Sequence, residues 1–354
     1  MVNDITGQYH KQGDFSKREQ EVLVEVKKLT GFKVDQLIFK GIIYKSDKIG
    51  SLIYRGQYKG KTAVLKLQGV PVQVDEYEIT KAFNLYNQSK IIRLPEIYLF
   101  QPWLEDKGYS FFISEWVDAP RIFTMPWATT EQMQEYAAFF QEYKTNCLAN
   151  PWLSFPSINI TVKDYLLAQA SKRKIICQKV GRIPEKLADY IYHTYLEYVN
   201  NYLPTDLKMT FCHAHLSAND IYKISDKEYV LMSNLFWGYR PEWYELAINL
   251  WACLISIREH NLQPKQSFDC VQDWLKVYKE IPVVQQDSNF ERKFWFLMAE
   301  RAVGAILADL GVNDEFAKPE MKDITPQLLK MFENLFYMAG FEILRNSLKD
   351  DIFG

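Results

Sequence analysis

The sequence predicts an α+β protein with two parts, a small antiparallel β-sheet carrying an inserted helix and a larger, mostly α-helical part after it. Three observations carry this expectation. From about Gln36 to Val117 the apolar residues fall into short β-branched or aromatic runs separated by Lys-Ser-Asp, Gly and Pro turns. After Pro120 the spacing becomes helical, with segments opening on capping signals. The chain has 354 residues, 48% of them apolar, 15% aromatic and 24% charged, a composition that supports a packed core and excludes disorder as the main state. At about 150 residues per domain this length suits two units.

Taken in order, an amphipathic helix over Ser16 to Leu29 places Val22, Leu23, Val26 and Leu29 on one face. The runs LIFKGIIY, SLIYRGQY and TAVLKLQ read as three strands, Asp75 to Asn87 as the inserted helix, and EIYLFQ and YSFFISEWV as two further strands. Helical segments then begin at Thr129-Thr130-Glu131, at Thr161-Val162-Lys163-Asp164 and at Thr325-Pro326. Long periodic helices cover roughly Pro184–Tyr202, Glu242–Glu259, Ser267–Glu280, Ser288–Leu310 and Thr325–Leu348, interrupted by two strand-like pieces, LKMTFCH and EYVLMSN. The expected boundary divides an N-terminal lobe, 1–117, from a helical C-terminal lobe, 118–354. The seam between such parts is the natural place for a ligand.

Charge and cysteine usage narrow the function classes. Lys plus Arg, 42, against Asp plus Glu, 44, gives a net charge of −2, so no global field steers the chain to nucleic acid or an anionic membrane. The five cysteines, Cys147, Cys177, Cys212, Cys253 and Cys270, are scattered without a CxxC pair, which argues against a disulfide framework or a zinc knuckle. The N-terminus has no signal-peptide core, and no run reaches the roughly 18 apolar residues of a membrane helix. A cytoplasmic location is the expectation.

Three segments hold candidate chemistry. Lys66 sits in the middle of an apolar strand, either solvated on the outer face of an ordinary alternating strand or turned to a face where it needs a carboxylate or phosphate partner to stay charged, and Glu76 and Glu78 follow it. The loop FCHAHLSANDIY, 211–222, gathers two histidines, an asparagine and an aspartate after a strand. Cys212, His213 and His215 suggest metal ligands, but no remote second set stands at a recognisable spacing. His213 also suits a structural role in a tight turn. The segment 230–251 reads as a strand, a loop containing Gly238 and Pro241, and a helix whose first turn holds Glu245, well placed for the helix dipole and a structural hydrogen bond.

In this order the three segments resemble the bilobal protein-kinase-like fold, specifically its aminoglycoside phosphotransferase and choline kinase branch, over about residues 36 to 250. The resemblance implies that Gly50 and Ser51 form the phosphate-covering turn and that Lys66 positions phosphates with Glu78, or else Glu76, as its ion-pair partner. It implies too that SEWV, with Glu115 and Val117, is the hinge facing an adenine ring. The family's His-Gly-Asp-Leu-x-x-x-Asn loop aligns with His213-Ala214-His215-Leu216-Ser217-Ala218-Asn219-Asp220. His215 then stands at the catalytic Asp and Asp220 at the metal-binding Asn. Counting back 12 residues from Glu245-Leu246-Ala247 lands on Ser233 where the family has its second metal ligand, an Asp.

Phosphoryl transfer rests on positioning and charge neutralisation, and these replacements shape the functional expectation. The leading reading is a kinase-fold pseudoenzyme that binds or regulates, with residual binding of ATP or another nucleotide. The alternative is a divergent, active ATP-dependent kinase phosphorylating a small-molecule hydroxyl, with His215 as base and Asp220 as the one Mg²⁺ ligand. A structural subunit of an assembly is the second alternative. The expected partners are a nucleotide or small molecule in the interlobe cleft and a protein, with no nucleic acid and no membrane span.

Overall fold

A computed structural model describes residues 16–40, 51–69, 71–72, 74–123, 128–148, 160–180, 185–255, 264–304 and 307. Gly50 and the helix expected over Thr325–Leu348 lie outside the described residues. The chain forms two compact units. The first takes the chain up to Tyr86, Lys90–Ala119 and Ile224–Leu235, and the second Asn87–Ser89, Pro120–Lys223 and the chain from Phe236 onward.

The first unit opens with helix α1 (Ser16–Thr30) and strands β1 (Lys33–Lys40), β2 (Ser51–Tyr58) and β3 (Lys61–Gln68), followed by helix α2 (Glu76–Tyr86) and strands β4 (Ile92–Arg93), β5 (Ile97–Leu104) and β6 (Tyr109–Glu115). The sheet runs β1-β2-β3-β6-β5, antiparallel throughout. Lys59 and Gly60, with φ of 49° and 80°, close the β2–β3 hairpin in the double positive-φ geometry that matches strand twist. Strand alternation then sorts the side chains. Ala63, Leu65 and Leu67 join Leu52, Tyr54, Tyr109, Phe111 and Ile113 against Val22 and Val26 of α1, which leaves Lys66 on the opposite face. One expected contact of α1 fails, because Leu29 is exposed. The helix closes just beyond it at Gly31, whose N–H bonds Lys27 O at 2.9 Å and whose φ is 73°.

The second unit holds helices α3 (Thr130–Glu142), which runs on as a π-helical turn over Tyr143–Cys147, α4 (Val162–Val180) and α5 (Glu185–Tyr202). Next along the chain come strands β7 (Met209–His213), β8 (Ile221–Ser225), β9 (Glu228–Leu231), which belongs to the first unit, and β10 (Trp237–Pro241), and then helices α6 (Tyr244–Ile255), α7 (Pro264–Tyr278), α8 (Pro282–Gln285) and α9 (Phe290–Gly304). The two capping signals that fall on described residues act as expected. Thr129 and Gln132 form a capping box on α3, and Thr161 accepts from the Asp164 N–H while donating to its carboxylate on α4. Helix α9 is buried all round from Phe294 to Ala299, the mark of a central core helix. Among the described residues no helix is long and apolar enough to cross a membrane.

Two features of the chain depart from the sequence expectation. The residues Trp237–Pro241, expected as a loop, form β10 paired antiparallel with β7. Pro241 sits at the strand's last position in a two-stranded sheet, where its missing N–H interrupts no ladder. Nor is the division a single cut at 117/118. Residues 224–235 belong to the first unit because β9 pairs in parallel with β4, Ile92 opposite Tyr229 and Arg93 opposite Val230. Arg93 fastens that pairing, with Nε 2.7 Å from Glu228 and its two terminal nitrogens 2.6 and 2.8 Å from Glu115.

Gly56 tests the packing of β2 on the chain after α1. A Cβ there would strike the Lys33 carbonyl and lie 2.6 Å from Phe32 Cε1, a buried ring. Gly56→Ala is expected to destabilise the protein by about 1–3 kcal/mol, read as a lowered urea midpoint with unchanged slope.

Candidate functional site

In the first unit, Lys66 Nζ pairs with the carboxylate of Glu76. The pairing corrects the expectation of Glu78, and helix phase is the reason. Glu76, Ile79, Thr80 and Phe83 lie at i, i+3, i+4 and i+7 on the buried face of α2, whereas Glu78 is exposed and its backbone N–H bonds the Asp75 carboxylate at 2.9 Å. The lysine and glutamate side chains are 14% and 9% exposed, so the pair is largely withdrawn from water and each group is the other's partner there. Lys66 also lies 5.6 Å from the centroid of the Phe112 ring across the sheet.

The remaining first-unit candidates have these surroundings. Ser51 opens β2 opposite Gln68, half-buried. Glu115 is held in the fork of Arg93, and although burial pushes its carboxyl up, the guanidinium prevails and holds it below the usual range. Its backbone N–H is engaged by Glu96 O at 2.9 Å, so of the SEWV backbone that donor is committed to the fold. Val117 is buried. Ser233 adopts a left-handed conformation with φ of 58°, uncommon for a non-glycine residue, just before a 3₁₀ turn in which Asn234 Nδ2 bonds Leu231 O at 3.0 Å.

In the second unit the loop after β7 is built around one carboxylate. Asp220 Oδ2 accepts from Ser217 Oγ at 2.7 Å and from the Ser217 backbone N–H at 3.3 Å, and lies 2.9 Å from His215 Nδ1. An ionised carboxylate offers only acceptors, so Nδ1 carries a proton, and in the neutral ring the lone pair is then on Nε2. The His215 ring stacks on Phe236 with centroids 4.7 Å apart. Its side chain is 44% exposed while that of Asp220 is 5% exposed. The 3₁₀ turn of Ala218–Asp220 is anchored from below, since the Ala218 N–H bonds Asn249 Oδ1 at 3.2 Å and Asn249 Nδ2 bonds the Tyr278 hydroxyl at 2.8 Å.

His213 and Glu245 occupy the interior behind this loop. The His213 backbone N–H donates to the Tyr143 hydroxyl at 2.7 Å, and its ring meets Trp237 edge-on at 5.1 Å. Glu245, fully buried, receives Lys144 Nζ at 3.1 Å and faces the Tyr143 hydroxyl at 3.5 Å. Burial works against the charge on Lys144, but Glu245 outweighs it and holds the ammonium above its ordinary range. Burial, then the Glu245 charge, pushes the Tyr143 hydroxyl far up, and burial does the same to the Cys212 thiol. Sequence reading missed Tyr143, Lys144 and Arg93, each far along the chain from what it holds.

The resemblance implies a divalent cation, and the residues at the expected positions do not fit one. Asp220 Oδ2 already takes three hydrogen bonds inside its own loop, and Ser233 offers a neutral hydroxyl where a hard cation needs an anionic oxygen. Among the described residues no group of three or more His, Cys, Asp or Glu side chains is placed to hold a metal ion.

No protein-family model matches the sequence, and no curated protein matches it significantly. Solved structures do. The chain is similar to amicoumacin kinase hAmiN in complex with AMP-PNP, Ca²⁺ and Ami, at 12% identity over 96% of this chain and 98% of that one, with a TM-score of 0.56. It is similar to a thermostable mutant of aminoglycoside phosphotransferase APH(4)-Ia in complex with ADP and hygromycin B, at 13% identity over 90% and 99% of the two chains and a TM-score of 0.54. The Plasmodium vivax ethanolamine kinase gives 10% identity over 93% and 96%, with a TM-score of 0.55. At such identities the likeness shows the fold alone, the α+β kinase-like fold that these structures share.

The buried pair behind the loop invites a direct test. Lys144→Met strands Glu245 without its cation and is expected to cost about 3–5 kcal/mol, measured by chemical denaturation. The double variant with Glu245→Gln should recover part of that loss.

Proposed function

We propose that this chain is a nucleotide-dependent phosphotransferase that transfers a phosphoryl group to the hydroxyl of a small molecule, with His215 taking the hydroxyl proton. One observation carries the reading. The histidine at the position of the family's catalytic carboxylate is held at Nδ1 by a buried aspartate, 2.9 Å away, and is itself 44% exposed. In the neutral ring that arrangement leaves the lone pair on Nε2, the atom a general base uses. The Lys66–Glu76 pair supports nucleotide binding, because a lysine fixed on a rigid strand supplies positive charge to phosphates without reorganising. The neighbours' contents point the same way. Two were solved with AMP-PNP or ADP beside a small molecule and one is named for ethanolamine, which favours a nucleotide donor and a small acceptor without naming the acceptor here.

Ser233 favours a second reading, a pseudoenzyme that binds nucleotide or a protein partner and transfers nothing. Its neutral hydroxyl stands at the position of the family's anionic metal ligand. The five scattered cysteines, none of them in a CxxC pair, support a reducing, cytoplasmic location for either reading.

The two readings separate in one experiment. The full chain is incubated with ATP or GTP and Mg²⁺ and a panel of small alcohols and amino alcohols, and products are followed by phosphorus NMR. Transfer is expected, with His215→Ala lowering kcat about 10²–10⁴-fold and Lys66→Met weakening nucleotide binding. A nucleotide-dependent thermal shift with no product, unaltered by His215→Ala, would establish the second reading instead.

A further inference from the structure

We infer that His215 is also a nucleophile, and that Nε2 carries the phosphoryl group as a covalent phosphohistidine between nucleotide and acceptor; this rests on the transferase reading above. The inference starts from what the histidine replaces. A carboxylate at this position serves transfer by accepting a proton, and phosphoryl transfer makes a weak demand on that proton because its transition state is loose. A fixed imidazole brings something different, a nitrogen lone pair able to form a covalent intermediate when a third group orients the ring.

Each part of that requirement is present in the loop. Asp220 engages Nδ1, at 2.9 Å, so in the neutral ring the lone pair is on Nε2. Ser217 fixes Asp220 in turn, through both its hydroxyl at 2.7 Å and its backbone N–H at 3.3 Å. Phe236, stacked 4.7 Å from the imidazole centroid, restrains rotation about the remaining torsion. The buried carboxylate has a second consequence. Phosphorylation at Nε2 leaves both ring nitrogens substituted and the ring cationic, and the adjacent negative charge stabilises that cation.

The step balances with a nucleoside triphosphate as co-reactant. The Nε2 lone pair attacks the γ-phosphorus, an N–P bond forms, and the bond from that phosphorus to the β–γ bridging oxygen breaks. Nucleoside diphosphate leaves with the electron pair. In the second half the acceptor oxygen bonds the phosphorus, the N–P bond breaks with its electrons returning to Nε2, and the hydroxyl proton passes to that nitrogen and on to solvent. Asp220 is a positioning residue in this scheme, since it acts only through His215.

The test uses the full-length protein with triphosphate labelled at the γ-phosphate, Mg²⁺ and no acceptor, quenched on the millisecond to minute scale. The expected result is protein-bound label approaching one phosphate per chain, labile in acid, stable in base, mapped by mass spectrometry to the peptide holding His215, and released as phosphorylated product when acceptor is added. His215→Ala should abolish the label and His193→Ala, on the exposed face of α5, should retain it. Asp220→Asn, which keeps the shape but reverses the tautomer, should slow labelling by about 10²-fold or more, while circular dichroism reports an unchanged fold. Phosphorylated acceptor without acid-labile label at any quench time would overturn the inference and leave His215 as a base. Acid-labile label persisting in His215→Ala would overturn it as well. Neither label nor product would overturn the transferase reading on which it rests.

Discussion

A carboxylate withdrawn from water stays ionised only where hydrogen-bond donors replace the water, and the loop from His213 to Asp220 is shaped by that constraint. Asp220 meets it with donors from within five residues of itself, the Ser217 hydroxyl and N–H and the His215 imidazole. Satisfying one oxygen therefore ties the 3₁₀ turn to the histidine and sets Nδ1 as the ring atom that faces the carboxylate. The same demand binds the loop to its support. The Ala218 N–H is met by Asn249 and the His213 N–H by Tyr143, so helix α6 and the π-helical turn after α3 carry the loop as a rigid piece.

A similar economy operates in the first unit. Strand β3 buries Ala63, Leu65 and Leu67 on one face, and the two-residue period then places Lys66 on the other without further cost. Its charge is answered by Glu76 from the first turn of α2. Arg93 plays the corresponding part at the end of the sheet, joining Glu115 of β6 to Glu228 of β9 and drawing residues 224–235 into the first unit. In both places a cation is held by carboxylates from separate elements, which ties geometry more than it adds stability.

How much of this was legible in the sequence depends on the range of the interaction. Local signals were read well. Thr129 and Thr161 with their partners three residues on start α3 and α4, alternating runs mark β2 and β3, and a continuously buried run marks β6. The choice of Glu78 over Glu76 erred although the signal was available, since Glu76 alone keeps phase with Ile79, Thr80 and Phe83. Strand β10 was hidden by Gly238 and Pro241, which read as turn residues until a partner strand shows that neither breaks the pairing. Tyr143, Lys144 and Arg93 left no trace, because no periodicity in the sequence links them to His213, Glu245 or Glu228. Of the loop itself, the frame was readable and the commitment of Asp220 to His215 was not, as an aspartate's partner depends on a backbone turn.

The claim at the centre of this account is that Asp220 serves His215 and not a cation. Long-range proton–nitrogen correlation NMR on the isotope-labelled chain reads the His215 ring directly. The account predicts a neutral imidazole protonated at Nδ1 and bare at Nε2, unchanged when Mg²⁺ is added alone and switched to the other tautomer in Asp220→Asn. A ring protonated at Nε2, or a Mg²⁺ titration that shifts both nitrogens and vanishes in Asp220→Asn, would contradict it and return Asp220 to the role of a metal ligand.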